Sequence, residues 1–176
     1  MHFLLAPSSL SPNMSSEFLF DESHLKDLKS LAPSGITLRP LERKDHTRGY
    51  MEVLRGLTSA PDVSETEWEA QFAALKSSGT YYILVLAEGE KVVGTGTVFV
   101  EQKFIRGLGK VGHIEDIAVH PTMQGKGLGK VIILALEKLS HKMGCYKTIL
   151  DCDPKNEGFY KRCGFETKGL EMAKYA

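Results

Sequence analysis

The stretch His113–Lys130, HIEDIAVHPTMQGKGLGK, constrains this chain more than any other. Gly112 to Val119 is rich in apolar and β-branched residues and reads as a strand, which Pro121 ends. Gln124-Gly-Lys-Gly-Leu-Gly-Lys130 follows. An apolar run with helical spacing comes next, through Val131, Ile132, Ile133, Leu134, Leu136 and Leu139. Strand, glycine loop and helix in that order present unsatisfied backbone N–H groups to an anion. Glycines at 125, 127 and 129 let the backbone approach a phosphate with no Cβ between, and Lys126 and Lys130 add positive charge. Two common phosphate loops do not fit. A Walker A loop would need glycine where Gln124 stands and Ser or Thr where Val131 stands. A dinucleotide fingerprint needs G-x-G-x-x-G, and the glycines here run G-x-G-x-G.

At 176 residues the chain is long enough for one domain with a substantial core. Its formal net charge is zero and no basic stripe lies on any predicted helix, which argues against nucleic acid as a partner. No apolar run approaches the length of a membrane span, and the opening Met-His-Phe-Leu-Leu-Ala lacks the basic region of a signal peptide. The three cysteines, Cys145, Cys152 and Cys163, are odd in number and form no C-x-x-C pair. Neither a disulfide framework nor a zinc site is expected, and a reducing, cytoplasmic setting is. His113, His120 and His141 do not make a metal constellation, so no metal is expected.

Residues 1–34 hold Pro7, Pro12 and Pro33 among many serines and read as a largely flexible arm. Leu19, Leu25, Leu28 and Leu31 give a hint of a short helix within it. The domain is expected over 35–176. Ile36 to Pro40 alternates like a strand, and Glu42 to Leu57 has helical spacing. Ser64, ahead of Glu65 and Glu67, predicts a capped helix through Trp68, Phe72 and Leu75 to Ser77, broken by Gly79. Tyr81 to Ala87 and Lys91 to Glu101 form a hairpin pair. Arg106-Gly-Leu-Gly-Lys-Val111 echoes Lys126-Gly-Leu-Gly-Lys-Val131, but strand residues follow it, so it reads as a connection between antiparallel strands. Gly144 ends the central helix, Tyr146 to Cys152 is a strand, Asn156 caps a short helix that Gly164 ends, and Phe165 to Met172 is a last strand. The class is α+β: a mixed, mostly antiparallel sheet flanked by helices, with one parallel crossover at the glycine loop.

Gln124, Gly127 and Gly129 make the pattern Q-x-x-G-x-G, which resembles the acyl-CoA pyrophosphate loop of the GNAT acetyltransferase superfamily. Asn156-Glu-Gly-Phe-Tyr-Lys-Arg-Cys-Gly-Phe165 is similar to that family's C-terminal motif. More closely, His113 to Val119, Gly144-Cys-Tyr-Lys147, Leu150-Asp-Cys-Asp153 and Phe159-Tyr160 together resemble the eukaryotic glucosamine 6-phosphate N-acetyltransferases, from about Ile36 to Met172. The resemblance implies the GNAT fold, with the acetyl-CoA loop between the fourth strand and the central helix. It implies acetyl transfer from acetyl-CoA to the amine of glucosamine 6-phosphate, on the route to UDP-N-acetylglucosamine. A homodimer with its active sites near the subunit interface is implied as well.

Residue roles follow from that resemblance and from elementary chemistry. The amine must lose a proton, and Glu115 is the side-chain candidate for base. Asp116 beside it would face the opposite side of a regular strand, so both reach one site only if the strand is bulged. Asp151 matches a sugar or amine contact. Ile117, Ala118 and Val119 match the backbone that pairs with the pantetheine arm, and an N–H of Ile117 or Val119 can stabilise a developing oxyanion. Gln124, Gly125, Lys126, Gly127, Leu128, Gly129 and Lys130, with Asn156, Lys161 and Arg162, match the cofactor contacts. Tyr160 matches the acid or hydrogen-bond donor to the thiolate leaving group. Lys103, Arg106 and Lys147 match the phosphate cations, with Thr58 and Tyr146 as hydroxyl donors. Family members also carry a basic residue on the last strand that reaches the partner's phosphate; Lys174, beside Tyr175, is the candidate. Two other readings stand beside this one: a GNAT enzyme for another small amine or a protein amine, and an acetyl-CoA sensor without turnover.

Overall fold

The computed structural model describes residues 17–175. Five strands form one sheet in the order β1-β2-β3-β4-β5: β1 (Ile36–Pro40), β2 (Tyr81–Glu88), β3 (Lys91–Gln102), β4 (Lys110–Val119) and β5 (Cys145–Ile149). The first four pair antiparallel, and β4 pairs β5 in parallel. The parallel step is made by α4 (Leu128–Lys142), which crosses one face of the sheet. Its Leu128, Ile132, Ile133, Leu136 and Leu139 are fully buried against Leu84, Leu86, Val98 and Ile114. Gly112 permits this approach, because a Cβ there would lie 2.1 Å from the Ser140 hydroxyl. The opposite face is covered by α1 (Tyr50–Leu54) and α2 (Glu65–Ser78), through Tyr50, Val53, Trp68 and Phe72. The Ser64 start of α2 is as expected: its hydroxyl accepts from the Glu67 N–H while the Glu67 carboxylate accepts from the Ser64 N–H.

Several boundaries differ from expectation. Glu42–Leu57 is not one helix. A 3-10 turn (Arg43–Thr47) comes first, Gly49 turns left-handed at φ 91°, and α1 begins after it. The cause is Asp45, fully buried, whose carboxylate holds Arg39 at 2.7 and 2.8 Å and the Glu42 N–H at 2.8 Å. The strand expected to Cys152 stops at Ile149. The one expected over Phe165–Met172 is absent, and Leu170 and Met172 stand exposed. A strand needs a partner ladder, and no described strand lies beside that segment.

The flexible arm expected over 1–34 does not hold from Glu17 onward. Residues 1–16 lie outside the described residues, but from Glu17 onward the chain packs on the domain. Leu19, Leu25 and Leu28 are buried, the last two against the α4 side of the sheet. Each buried leucine contributes about 1.5–3 kcal/mol. Arg43 N–H donates to Glu17 O, Leu19 N–H to Leu41 O, and Lys142 ties the end of α4 to Asp27.

Candidate active site

β4 is where the sheet opens. It pairs with β5 only from Lys110 to His113, whereas β4 continues to Val119. The β5-side edge of residues 114–119 therefore offers backbone groups to an extended ligand. On the other edge, Thr95 pairs with Ala118 and Thr97 with Glu115, so β4 holds one residue more than β3 across this span. This is a β-bulge, and Asp116 takes the strain at φ 54°. The extra residue resets the alternation. Ile114 and Ile117 pack toward α4, while Asp116 joins Thr97 and Tyr50 in lining a cavity of about 350 Å³ on the α1–α2 side. Ala118 belongs to that side too, and Glu115 shares it through its cross-strand partner Thr97. Both carboxylates thus face one side. Gly96 makes room for this on β3: a Cβ there would meet Ile117 and Ile132 at 2.5 Å.

The glycine loop forms as the spacing demands. Gly125 and Gly127 adopt φ 77° and 79°, with open space where side chains would stand. The first helical bond of α4 runs from Val131 N–H to Gly127 O, which leaves the N–H groups of Leu128, Gly129 and Lys130 without acceptors in their own helix. Gln124 turns inward instead, donating its amide to Val119 O at 3.2 Å, and so fixes the loop to the end of β4. Lys126 lies 3.2 Å from the Met123 sulfur. A pyrophosphate fits this cradle by the donors present and by the absence of side chains over it.

The short helix α5 (Glu157–Arg162) closes the far side. Phe159 lies 3.5 Å from where a Gly129 Cβ would be. Asn156 occupies the first cap position but its side chain caps nothing; Asp153 does this work one turn earlier, accepting from the Lys155 N–H at 2.9 Å. Lys161 pairs with Glu157, and Arg162 follows it in the last turn. Tyr160 packs edge-on against Phe159 and Phe165. Its burial, then the neighbouring Cys152, Cys163 and Glu115, push its pKa up, so it holds its proton. Desolvation, followed by the carboxylates of Asp116 and Asp151, likewise pushes the Glu115 pKa above the ordinary range. Glu171 of the C-terminal segment adds to this.

The cationic residues gather at the other end of β4. The β3–β4 connection holds α3 (Ile105–Leu108), a single turn closed by Gly109 N–H to Ile105 O, with Arg106 left-handed at φ 57°. It is a strand connection, as expected. A Cβ on Gly109 would lie 3.1 Å from both Arg106 and the Tyr146 ring, which brings those two residues together. Lys147 sits 5.9 Å over that ring. Lys103 pairs with Glu101 at 2.5 Å, and Glu101 also receives His113 at 2.9 Å, a counter-charge that sequence reasoning missed. Thr58 is exposed just beyond α1, and Lys174 is exposed on the C-terminal segment. Among the described residues no group of three or more His, Cys, Asp or Glu could hold a metal ion, and no helix is long and apolar enough to cross a membrane.

The profile of the Acetyltransferase (GNAT) family matches residues 42–165. Glucosamine 6-phosphate N-acetyltransferase 1 of Dictyostelium discoideum is 43% identical over 150 residues, 84% of this chain and 96% of that protein. The glucosamine 6-phosphate N-acetyltransferase of Candida albicans is 43% identical over 145 residues, 81% of this chain and 97% of that protein. The crystal structure of glucosamine-6-phosphate N-acetyltransferase from Arabidopsis thaliana superposes with a TM-score of 0.77 at 40% identity, covering 80% of this chain and 97% of that one.

Proposed function

The chain belongs to the GNAT acetyltransferase family, and from this we propose that it transfers an acetyl group from acetyl-CoA to the amine of glucosamine 6-phosphate, giving N-acetylglucosamine 6-phosphate and CoA. The observation that carries the substrate is the division of charge along β4. Glu115 and Asp116 stand on the bulge, and Arg106, Tyr146 and Lys147 gather at the opposite end. A molecule with an amine at one end and a phosphate at the other matches that layout, and the curated relatives are named for such a molecule.

When bound, acetyl-CoA supplies the activated acetyl group. The N–H groups at the start of α4 and the glycines of the loop receive its pyrophosphate, and the open edge of β4 pairs with its extended arm. Glu115 takes the proton from the amine. Amines of this kind titrate near ~8, and a carboxylate with a raised pKa is better matched to that task than an ordinary one. Asp116 keeps Glu115 basic. A backbone N–H of Ile117 or Val119 faces the oxygen on which negative charge develops. Tyr160 donates its proton toward the departing sulfur. Arg106, Lys147 and the Tyr146 hydroxyl hold the phosphate, with Thr58 and Asp151 on the sugar.

A second copy of the chain completes the assembly in this reading. The outer edge of β5 is open, and the C-terminal segment exposes Leu170, Met172 and Tyr175, each more than 90% accessible. Pairing there would bring Lys174 toward the partner's phosphate. Three unpaired cysteines, one of them buried, suit a reducing compartment such as the cytoplasm.

Thiol release measured with glucosamine 6-phosphate, glucosamine, a polyamine and a peptide amine tests the assignment. Turnover confined to the phosphorylated sugar is expected. Best turnover with another amine would replace the substrate, and no turnover with any would leave an acetyl-CoA sensor. Tyr160→Phe keeps the ring and is expected to lower kcat by roughly 10²-fold with little change in acetyl-CoA affinity; unchanged kcat would reduce Tyr160 to packing. Asp116→Asn removes a negative charge that raises the Glu115 pKa, and Asn tolerates the left-handed backbone at 116. The acid limb of the kcat/KM profile should therefore move to lower pH, and a limb that stays in place would remove Glu115 from the role of base.

A further inference from the structure

One buried polar side chain takes no part in the chemistry above yet joins its two halves. His120 follows β4 directly and is 9% exposed. Its backbone N–H donates to Val93 O at 2.9 Å. Its Nδ1 accepts from the Thr122 backbone N–H at 3.3 Å and lies 2.8 Å from the Thr122 hydroxyl. With Nδ1 accepting, Nε2 bears the hydrogen, and it donates to Glu52 Oε1 at 3.0 Å. The first bond shapes the turn that enters the glycine loop. The second reaches 68 residues back in sequence, to the middle of α1. The other Glu52 oxygen faces Lys91 at 3.5 Å.

What lies beyond α1 gives this bridge its meaning. Gly56, Leu57 and Thr58 continue from the helix through N–H bonds to Val53 O and Leu54 O. A Cβ on Gly56 would lie 4.0 Å from Pro121 and from Val119 O, so this segment rests on the end of β4 where the cofactor loop begins. α1 is only five residues long, and a helix of that length does not hold its own position. We propose that the His120–Glu52 bridge is a positioning device that fixes the α1 exit, and with it Thr58, against the entry to the acetyl-CoA loop, so that acceptor and donor are held in register. The proposal rests on the acetyltransferase reading for its kinetic consequence, though not for the bridge itself.

The two ring nitrogens can be tested apart. His120→Asn retains an acceptor near the Nδ1 position for Thr122 but is too short to reach Glu52. His120→Gln reaches toward Glu52 but gives up the cap. Glu52→Ala cuts the bridge from the α1 side at a half-exposed position, where misfolding is not a concern. His120→Asn and Glu52→Ala are each expected to raise KM for glucosamine 6-phosphate about 3- to 10-fold, with KM for acetyl-CoA within about twofold of wild type. The double variant should be no worse than either single one, and His120→Gln should recover most of the acceptor KM. Hydrogen exchange across residues 55–63 should quicken in both bridge-cutting variants while α2 stays protected, a readout that holds whatever the acceptor proves to be. Acceptor KM values at the wild-type level, additive effects in the double variant, or unchanged exchange over 55–63 would each overturn the bridge as a positioning device. Failure of wild type to acetylate any amino sugar would instead overturn the substrate reading, and the exchange experiment would still decide the bridge.

Discussion

Replacing Gly127 with aspartate is expected to abolish measurable acetyl-CoA binding while leaving the fold in place. Gly127 sits at φ 79°, at the cap of α4, with open space around the position of a Cβ. A side chain there clashes with nothing in the protein, and Asp is among the residues that tolerate left-handed backbone. The damage would therefore fall on the ligand. A carboxylate about 4 Å from a phosphate, at an effective dielectric near 20, is repelled by roughly 4 kcal/mol per pair of unit charges. That is about three orders of magnitude in affinity. Gly127→Asn makes the same backbone demand without the charge, so the difference between the two isolates the electrostatic part. Calorimetric titration with acetyl-CoA decides it: wild-type affinity in Gly127→Asp would remove the loop from cofactor binding.

The second large effect concerns the phosphate. Glucosamine 6-phosphate should be acetylated far better than glucosamine, and Arg106→Ala should erase most of that preference. Charge-assisted hydrogen bonds to a phosphate are worth about 1.5–3 kcal/mol each when partly desolvated. Two of them correspond to roughly two to four orders of magnitude in kcat/KM. Arg106 makes no ion pair among the described residues, whereas Lys103 is engaged by Glu101, so Arg106 should account for the larger share. Arg106→Lys keeps the charge but not the planar fork and should fall between. The ratio of kcat/KM for the two sugars is the quantity to measure. If Arg106→Ala damages both sugars equally, the substrate reading gives way to that of a broader amine acetyltransferase.

Strong local signals made much of this legible in advance. Gly125, Gly127 and Gly129 between a β-branched strand and an apolar helix left one arrangement for that loop, at the start of α4, and Ser64 with Glu67 marked the start of α2. The bulge was legible only as a condition, that Glu115 and Asp116 share a side if β4 holds an extra residue. The room for it comes from Gly96 on the facing strand, where a side chain would meet Ile117 and Ile132. The N-terminal segment misled because proline and serine outweighed the spacing of Leu19, Leu25 and Leu28, which is short-range and turns inward only once the covered sheet gives it a surface, Leu25 and Leu28 on the α4 side and Leu19 on the α1–α2 side. The last strand misled for the opposite reason: Phe165–Met172 was expected to pair, but a ladder partner is a property of the assembly and is not written in one segment. The Glu101–His113 contact and the bridge from His120 to Glu52 depend on cross-strand and cross-layer neighbours, and local pattern holds no trace of either; the Glu101 counter-charge on Lys103, two residues away, stood in the sequence and was passed over.

The bulge in β4 also sets how this site can change over time. Substitution at Glu115 or Asp116 alters one side chain and leaves its neighbours where they are. Removing a single residue between Glu115 and Ala118 acts differently, because side-chain facing along a strand has parity. With the extra residue gone, the strand beyond the cut would turn over: Ala118 would be driven toward α4 and Val119 toward α1, or the pairing with β3 would slip by one place. Either outcome exchanges the α4 side for the α1–α2 side along the half of β4 beyond the bulge. Variation here is therefore confined to exchange of one residue for another, and the length of this segment is as much a part of the site as any carboxylate on it.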